Sequence, residues 1–374
     1  MAAAALARSR CYLELRRSLK AGVRTLPVAS QRSVLQAFDA SPFVGGARAD
    51  ALLPCRASLA RVVAELAAEG VEPSAAAAIV DGLAEASAAG AAGFPEGGAA
   101  SVSRASKDAW VASYGGAQFS VDAKRFQWLK RAHAREKGGD FATDVFALLC
   151  HYNTVANGNQ AAIPAAVYAT FERWARQPEG TVFEAYSSAL NHRRTRRPRR
   201  FGTAFPGVDG PFGGLGPFGS FRLPDDGGEH RLVLANPPFC PETLAELAPR
   251  VAGVLDDRTT CVVVVPAKAG RLGHDSAHLA ALRALDPLAE ETLAPHRHAF
   301  LPAAAFKPRA RPANHPELES QLLVFSSRPS LSRTQAKVLS NALASTWAAA
   351  AKDARKARRL VKHAETRRRR GDAT

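Results

Sequence analysis

Four consecutive residues, Asn236-Pro237-Pro238-Phe239, follow the apolar run Leu232-Val233-Leu234-Ala235. A buried strand that ends in this tetrapeptide presents two oxygen acceptors, the Asn236 side-chain carbonyl and the Pro237 backbone carbonyl. Each can take one hydrogen of a planar exocyclic amine such as N6 of adenine. That amine is a poor nucleophile because its lone pair is delocalised into the ring. Two acceptors on its hydrogens favour a more tetrahedral nitrogen whose lone pair faces an incoming methyl group, a stabilisation realised mainly in the transition state. The paired prolines restrict themselves and their predecessors, which fixes a turn with its carbonyls outward. Phe239 can stack on the face of the base, and no metal or covalent nucleophile is needed. The plainer reading is a Pro-Pro turn after a hydrophobic strand, with Asn236 closing the turn and Phe239 packed in the core.

Methyl transfer of this kind needs a donor, which makes S-adenosylmethionine the expected cofactor. Its site is sought at the end of the first strand of the sheet. Thr181–Ala185 reads as a strand running into the small-residue turn Tyr186-Ser187-Ser188-Ala189-Leu190-Asn191. Ser187, Ser188 and Asn191 are the expected contacts for the methionine carboxylate and amine. Asp209, inside Phe205-Pro206-Gly207-Val208-Asp209-Gly210-Pro211-Phe212-Gly213, is the acid best placed for the cofactor's ribose or amino group; a turn aspartate before glycine is the alternative. Between these segments His192–Arg200 supplies six arginines, Arg193, Arg194, Arg196, Arg197, Arg199 and Arg200, and no acid. Such a cluster suits phosphate contacts along a nucleic-acid strand, or else a solvated basic loop.

The elements that must position these residues divide the chain into four stretches. Residues 1–106 read as a basic N-terminal arm, a helical hairpin over Arg56–Gly90 broken at Gly70 with Ser74 as the second cap, and a Gly/Ala/Ser linker over Ala91–Ser106. Residues 107–178 read as a mostly helical domain, with a short extended start at Gln118–Val121. Over residues 179–330 short β-rich runs, Thr181–Ala185, Arg231–Ala235, Thr260–Val265 and Gln321–Phe325, alternate with helical patterns at Thr243–Leu255 and Ser276–Leu285. That alternation predicts an α/β fold on a parallel, doubly wound sheet, whose ligands bind at the carboxyl ends of the strands. Residues 331–374 read as a basic C-terminal helix and tail.

The formal net charge of +16 points to a polyanionic partner, RNA or DNA. The five cysteines show no CxxC pairing and no histidine at zinc-ligand spacing, so a reduced protein without structural metal is expected. No apolar window is long enough for a membrane span, and no membrane partner is expected. The first 38 residues carry seven Lys/Arg against the single acid Glu14, as an organelle transit peptide or a basic, partly disordered arm would. The twelve Lys/Arg from Arg333 onward suit an RNA-binding helix, a nuclear import signal or a merely solvated helix.

The segments YGGAQFSVDAKRFQWL, ALLCHYNTV, IPAAVYATFERW, FEAYSSALN, FGTAFPGVDGPFGGLGPFGSF and LANPPFCPETL, in this order between about Tyr114 and Phe325, resemble the catalytic domain of the phosphorylated-CTD-interacting factor family, the cap-specific mRNA adenosine N6-methyltransferases. The resemblance implies a Rossmann-like S-adenosylmethionine-dependent methyltransferase core with a preceding helical domain, a nuclear protein, and methylation of the adenosine next to the mRNA cap. It implies Asn236, Pro237, Pro238 and Phe239 as catalytic, and Ser187, Asn191 and Asp209 in the cofactor region. Trp110 and Trp128 lack the glycine, tyrosine and proline pattern of a WW module, so that module is expected to be missing and polymerase-tail binding with it. The segment HRRTRRPRR is more basic than its counterpart in the family, Pro241 stands where an acid is expected after NPPFC, and the region after His296-Arg297-His298 diverges. Methylation of DNA and a non-catalytic RNA-binding role are the two alternatives.

Overall fold

A computed structural model describes residues 2–43, 57–92, 98–155, 162–179, 181–195, 199–224, 230–267, 277–301, 306, 319–329 and 331–371. The chain forms two compact units: one of Met1–Asn159, Ser188–Leu190 and Thr203–Pro217, the other of Gln160–Ser187, Asn191–Gly202 and Phe218–Thr374. Both mix helices with sheet, so the protein is of the α/β kind expected.

The first unit opens with α1 (Ala2–Gly22) and α2 (Val28–Ala40). Tyr12, Leu15, Leu19, Val34 and Phe38 are buried on their inner faces, and the Arg16 guanidinium pairs with Asp39 at 2.6 Å. The arm or transit peptide expected over the first 38 residues is thus a pair of core helices. Arg10, Arg17, Arg24 and Arg32 are exposed on the outer face of an amphipathic pattern, while Arg8 and Arg16 are half-buried, which a count of charges alone does not register. α3 (Ala60–Ala68) and α4 (Pro73–Ala92) form the expected hairpin, with Gly70 at φ +83° between them. The acceptor for the free amides of α4 is Glu72 rather than Ser74: its carboxylate takes the Ser74 and Ala75 N–H groups, and Pro73 fills the first helical position.

Next comes an antiparallel meander of β1 (Ser101–Ser106), β2 (Ala109–Tyr114) and β3 (Ala117–Asp122). β1 occupies part of the expected linker. Its side chains are nearly all exposed, so it carries no apolar alternation to betray it. α5 (Ala123–Glu136) and α6 (Phe141–Thr154) follow, each capped by the aspartate before it: Asp122 accepts from the Arg125 amide and Asp140 from the Thr143 amide, both at 2.9 Å. His133 Nε2 meets Asp144 at 2.9 Å and ties the two helices together. The short helix α8 (Pro206–Asp209) completes this unit.

The second unit is a three-layer sandwich. β4 (Val182–Glu184), β5 (Arg231–Ala235) and β6 (Thr259–Pro266) run parallel, β8 (Ser320–Ser326) pairs antiparallel with β6, and β7 (Ala289–Leu293) pairs antiparallel with β8, in the order β4-β5-β6-β8-β7. The sheet is therefore mixed where an all-parallel one was expected, a common form of large α/β sheets. Alternate side chains reach opposite faces. Leu232, Leu234, Val262, Val264, Leu322 and Val324 pack under α7 (Ala165–Trp174) and the first turns of α12 (Arg333–Gly371), where Leu339, Leu343 and Trp347 lie. Val233, Ala235, Val263, Val265, Leu323 and Phe325 pack under α9 (Pro241–Ala245), α10 (Leu247–Val254) and α11 (Ala277–Arg283). Burial on both faces explains why β5, β6 and β8 read as continuous apolar runs.

Candidate active site

Asn236–Phe239 leaves the carboxyl end of β5, the middle of the three parallel strands. Val182, Phe183 and Glu184 of β4 pair with Leu232, Val233 and Leu234, and the Ala185 amide donates to the Leu234 carbonyl at 3.0 Å, so the chain beyond β4 emerges beside the tetrapeptide. Pro237 is buried, whereas Asn236, Pro238 and Phe239 are half-buried. The Phe239 ring stands edge-on to Phe300, 6.1 Å between centroids at 87°, and Phe300 in turn leans on Trp347. Cys240, buried, precedes α9, and its Sγ lies 3.0 Å from the Thr243 hydroxyl. A strand, a Pro-Pro turn and a helix that starts at Pro241 thus hold the tetrapeptide at both ends.

The turn after β4 is organised by a residue that the sequence did not single out. Glu184, the last residue of β4, is 4% exposed. Its carboxylate accepts from the Ser187 hydroxyl at 2.9 Å and the Arg193 amide at 2.7 Å, and His192 Nδ1 lies 2.9 Å away. Burial by itself would raise this carboxyl, but the His192 charge and the hydrogen bonds from His192, Arg193 and Ser187 hold it below the usual range. The Ser187 oxygen is also 3.1 Å from Asn191 Oδ1. Ser187 and Asn191 are therefore brought together, with Glu184 between them and the core. The strand end is closed from the other side by Gly202, whose amide donates to Glu184 O and whose carbonyl accepts from the Ser187 amide, both at 2.8 Å. A Cβ there would lie 2.1 Å from the Ala185 carbonyl oxygen, so only glycine fits.

Ser188 and Asp209 belong to the other compact unit. Asp209 is fully buried. One oxygen accepts the Ala189 amide at 2.7 Å, and the other accepts the Tyr152 hydroxyl at 2.6 Å and the Thr203 hydroxyl at 2.5 Å. Burial pushes its carboxyl up to about 6, against the pull of those three hydrogen bonds. Both oxygens are in use, which makes Asp209 an organiser of the 188–190 turn; direct contact with a cofactor would require those bonds to be exchanged. Ser188 helps to hold the Tyr152 hydroxyl of the same cluster.

The arginines divide. Arg193 is turned inward, its Nη1 2.5 Å from Glu172 and its guanidinium over the Tyr168 ring at 5.6 Å. This removes it from the expected nucleic-acid contacts: a buried carboxylate offers a stronger partner than solvent. Arg194 and Arg200 are exposed and Arg199 is half-buried, while Arg196 and Arg197 lie outside the described residues. Among the described residues no cluster of His, Cys, Asp and Glu is arranged to hold a metal, and no helix is long and apolar enough to cross a membrane.

Comparison with known families gives a match in the middle of the chain. Residues 122–281 match the family model described as "Phosphorylated CTD interacting factor 1 WW domain". That stretch runs from the end of β3 to α11 and includes Glu184, Ser187, Asn191, Asp209 and Asn236–Phe239. It overturns the expectation that the WW module is missing, because the matching model is described by that domain. The expectation rested on a compact tryptophan pattern around Trp110 and Trp128; the matched stretch is instead a long one of helices and parallel strands, in which Trp128 is a buried residue of α5. No curated protein matches the chain. Over somewhat less than half its length, the chain is similar to the phosphorylated CTD interacting factor 1 family.

Proposed function

We propose that the protein is an S-adenosylmethionine-dependent adenine N6-methyltransferase acting on RNA, with the cap-adjacent adenosine of mRNA as its target. The observation that carries this reading is the position of Asn236-Pro237-Pro238-Phe239 at the carboxyl end of the middle parallel strand, beside the polar turn that ends β4. In open α/β sheets that edge is where ligands bind. The parallel run β4-β5-β6, closed by an antiparallel pair, supports a Rossmann-like core.

The residues after β4 suit the cofactor chemically. Glu184, Asn191 and Ser187 gather acceptor oxygens at one strand end, as a cationic amine and a sulfonium require. Ser187 and Asn191 would hold the methionine end, with Glu184 fixing both. When bound, S-adenosylmethionine supplies an electrophilic methyl group. The Asn236 side-chain carbonyl and the Pro237 carbonyl accept the two N6 hydrogens and orient the amine. Phe239 gives the base a face to rest on, provided its ring can leave or share Phe300. The exposed Arg194 and Arg200 and the net charge of +16 serve the polymer backbone. The similarity to a factor named for interacting with a phosphorylated CTD supports a nuclear place of action and makes a phosphorylated CTD peptide a partner to test.

Mass-spectrometric detection of N6-methyladenosine after incubation with capped RNA, uncapped RNA and single-stranded DNA tests the proposal. Product on capped RNA alone is expected. Product on DNA alone moves the substrate to DNA, and no product on any of them, together with no S-adenosylmethionine binding in calorimetry, leaves a non-catalytic RNA-binding protein.

A further inference from the structure

A cavity of about 210 Å³ opens in the second unit near the amino ends of β4 and β5. β5 is five residues long, so this end lies roughly 15 Å from Asn236 at the usual rise of a strand. The cavity is separate from the proposed methyl-transfer site.

Its lining divides by chemistry. Phe183 and Leu223 form an apolar wall, with Phe183 backed by its partner across β4 and β5, the core residue Val233. Arg199, Arg231 and Gln177 supply the polar side. The Arg231 guanidinium is anchored by Nη1, which meets Asp256 Oδ2 at 2.7 Å. Its Nε is buried and meets no hydrogen-bond partner among the described residues. A buried charged donor left unmade is costly, so an acceptor drawn to this guanidinium would recover part of what the fold forgoes. His230, also in the lining, is held between the Arg328 guanidinium at 2.8 Å and the Thr260 hydroxyl at 2.9 Å. Burial first, and then Arg328, brings its pKa down to about 4, so the ring is neutral near pH 7 and offers a flat surface without charge.

A flat apolar wall beside two guanidinium groups fits a ligand with an aromatic body and an anionic head. We propose that this cavity binds a single nucleotide, with its phosphate on Arg199 and Arg231 and its base against Phe183 and Leu223. The volume lies below the ~300–1,000 Å³ of clefts for drug-sized ligands, which favours one nucleotide over a dinucleotide. The same chemistry is presented by a free nucleoside monophosphate and by one residue of an RNA strand.

Calorimetry on the full chain separates these sources. Cytidine monophosphate is the probe, since a pyrimidine avoids the adenine chemistry assigned to Asn236; cytidine and inorganic phosphate are the partial ligands. Cytidine monophosphate is expected to bind about tenfold more tightly than either part. Arg199→Glu should weaken it by about tenfold or more, and Arg231→Lys, which keeps the charge but loses the Nε donor, by about three- to tenfold, both with an unchanged Tm. Affinity should be the same in Asn236→Ala, so failure of the methyltransferase reading leaves this result standing. A short single-stranded RNA that displaces the nucleotide assigns the site to the strand; one that binds without displacing it assigns the site to a free nucleotide. Absence of binding at millimolar cytidine monophosphate, or affinity unaltered in both folded arginine variants, overturns the proposal. Phosphate binding as tightly as the nucleotide overturns the role of the apolar wall.

Discussion

Glu184 and Asp209 are both buried carboxylates with several hydrogen-bond donors, yet their protons respond in opposite directions. Glu184 is held below the ordinary carboxylate range, whereas Asp209 is pushed up to about 6. Burial opposes the charge in both cases. The difference is the partner: His192, whose electrostatic pull and hydrogen bond lower Glu184, stands 2.9 Å from it, while Asp209 is met by two hydroxyls and an amide. Neutral donors soften the cost of desolvation and an adjacent charge reverses it. The strand end beside Asn236–Phe239 thus keeps a fixed negative charge, and the other unit keeps a carboxyl whose charge is conditional.

The largest expected effect comes from removing the fixed charge. Glu184→Ala strands His192 and the Arg193 amide and should cost about 3–5 kcal/mol of stability, read from urea unfolding. Glu184→Gln, which preserves the shape and an acceptor oxygen, should cost less; equal losses would mean that the charge alone, not the shape, matters there.

At Asp209 the comparison makes a pH prediction. Its folded pKa lies above the unfolded value, so the stability linked to its proton is fully present below about pH 4 and is lost as pH rises through about 6. The amount is on the order of 3 kcal/mol. Stability of the wild type relative to Asp209→Asn should therefore fall across that window and level off above it. A difference that is flat from pH 4 to 7 would place the Asp209 pKa near its ordinary value.

Arg193 and Arg194 extend the contrast to adjacent positions. Arg193→Ser removes the partner of the buried Glu172 and should cost about 1.5–3 kcal/mol. Arg194→Ser, at an exposed position, should change stability by no more than about 0.5 kcal/mol. Equal effects would contradict the inward placement of Arg193. Gly202→Ala should cost about 1–3 kcal/mol, because its Cβ meets the Ala185 carbonyl and pries open the turn that Glu184 holds. Unchanged thermal unfolding in that variant would show that the strand end is looser than described.

These residues also mark what the sequence reveals. β5, β6 and β8 were legible because burial on both faces leaves an uninterrupted apolar run, and the Pro-Pro turn punctuates the end of β5. β1 is exposed along nearly its whole length and β7 carries Glu290 and Glu291 in its middle, so neither shows the expected pattern. Glu184 was invisible for another reason: a lone acid in a short strand gains its meaning from His192 and Arg193, brought to it by the turn. Asp209 stands out by its glycine-rich setting, but its partner Tyr152 comes from a distant segment and meets it together with the nearby Thr203, in a cluster the local sequence does not reveal. The same holds for Arg193, whose place in an arginine run concealed a specific partner in Glu172.

We propose that Asn236 acts on the target amine at the end of β5. The most direct test is single-turnover methyl transfer to capped RNA by Asn236→Ala, measured alongside S-adenosylmethionine affinity. A loss of about a hundredfold or more in rate is expected, as for removal of a transition-state acceptor, with cofactor affinity nearly unchanged. Near-wild-type turnover in the variant would contradict it.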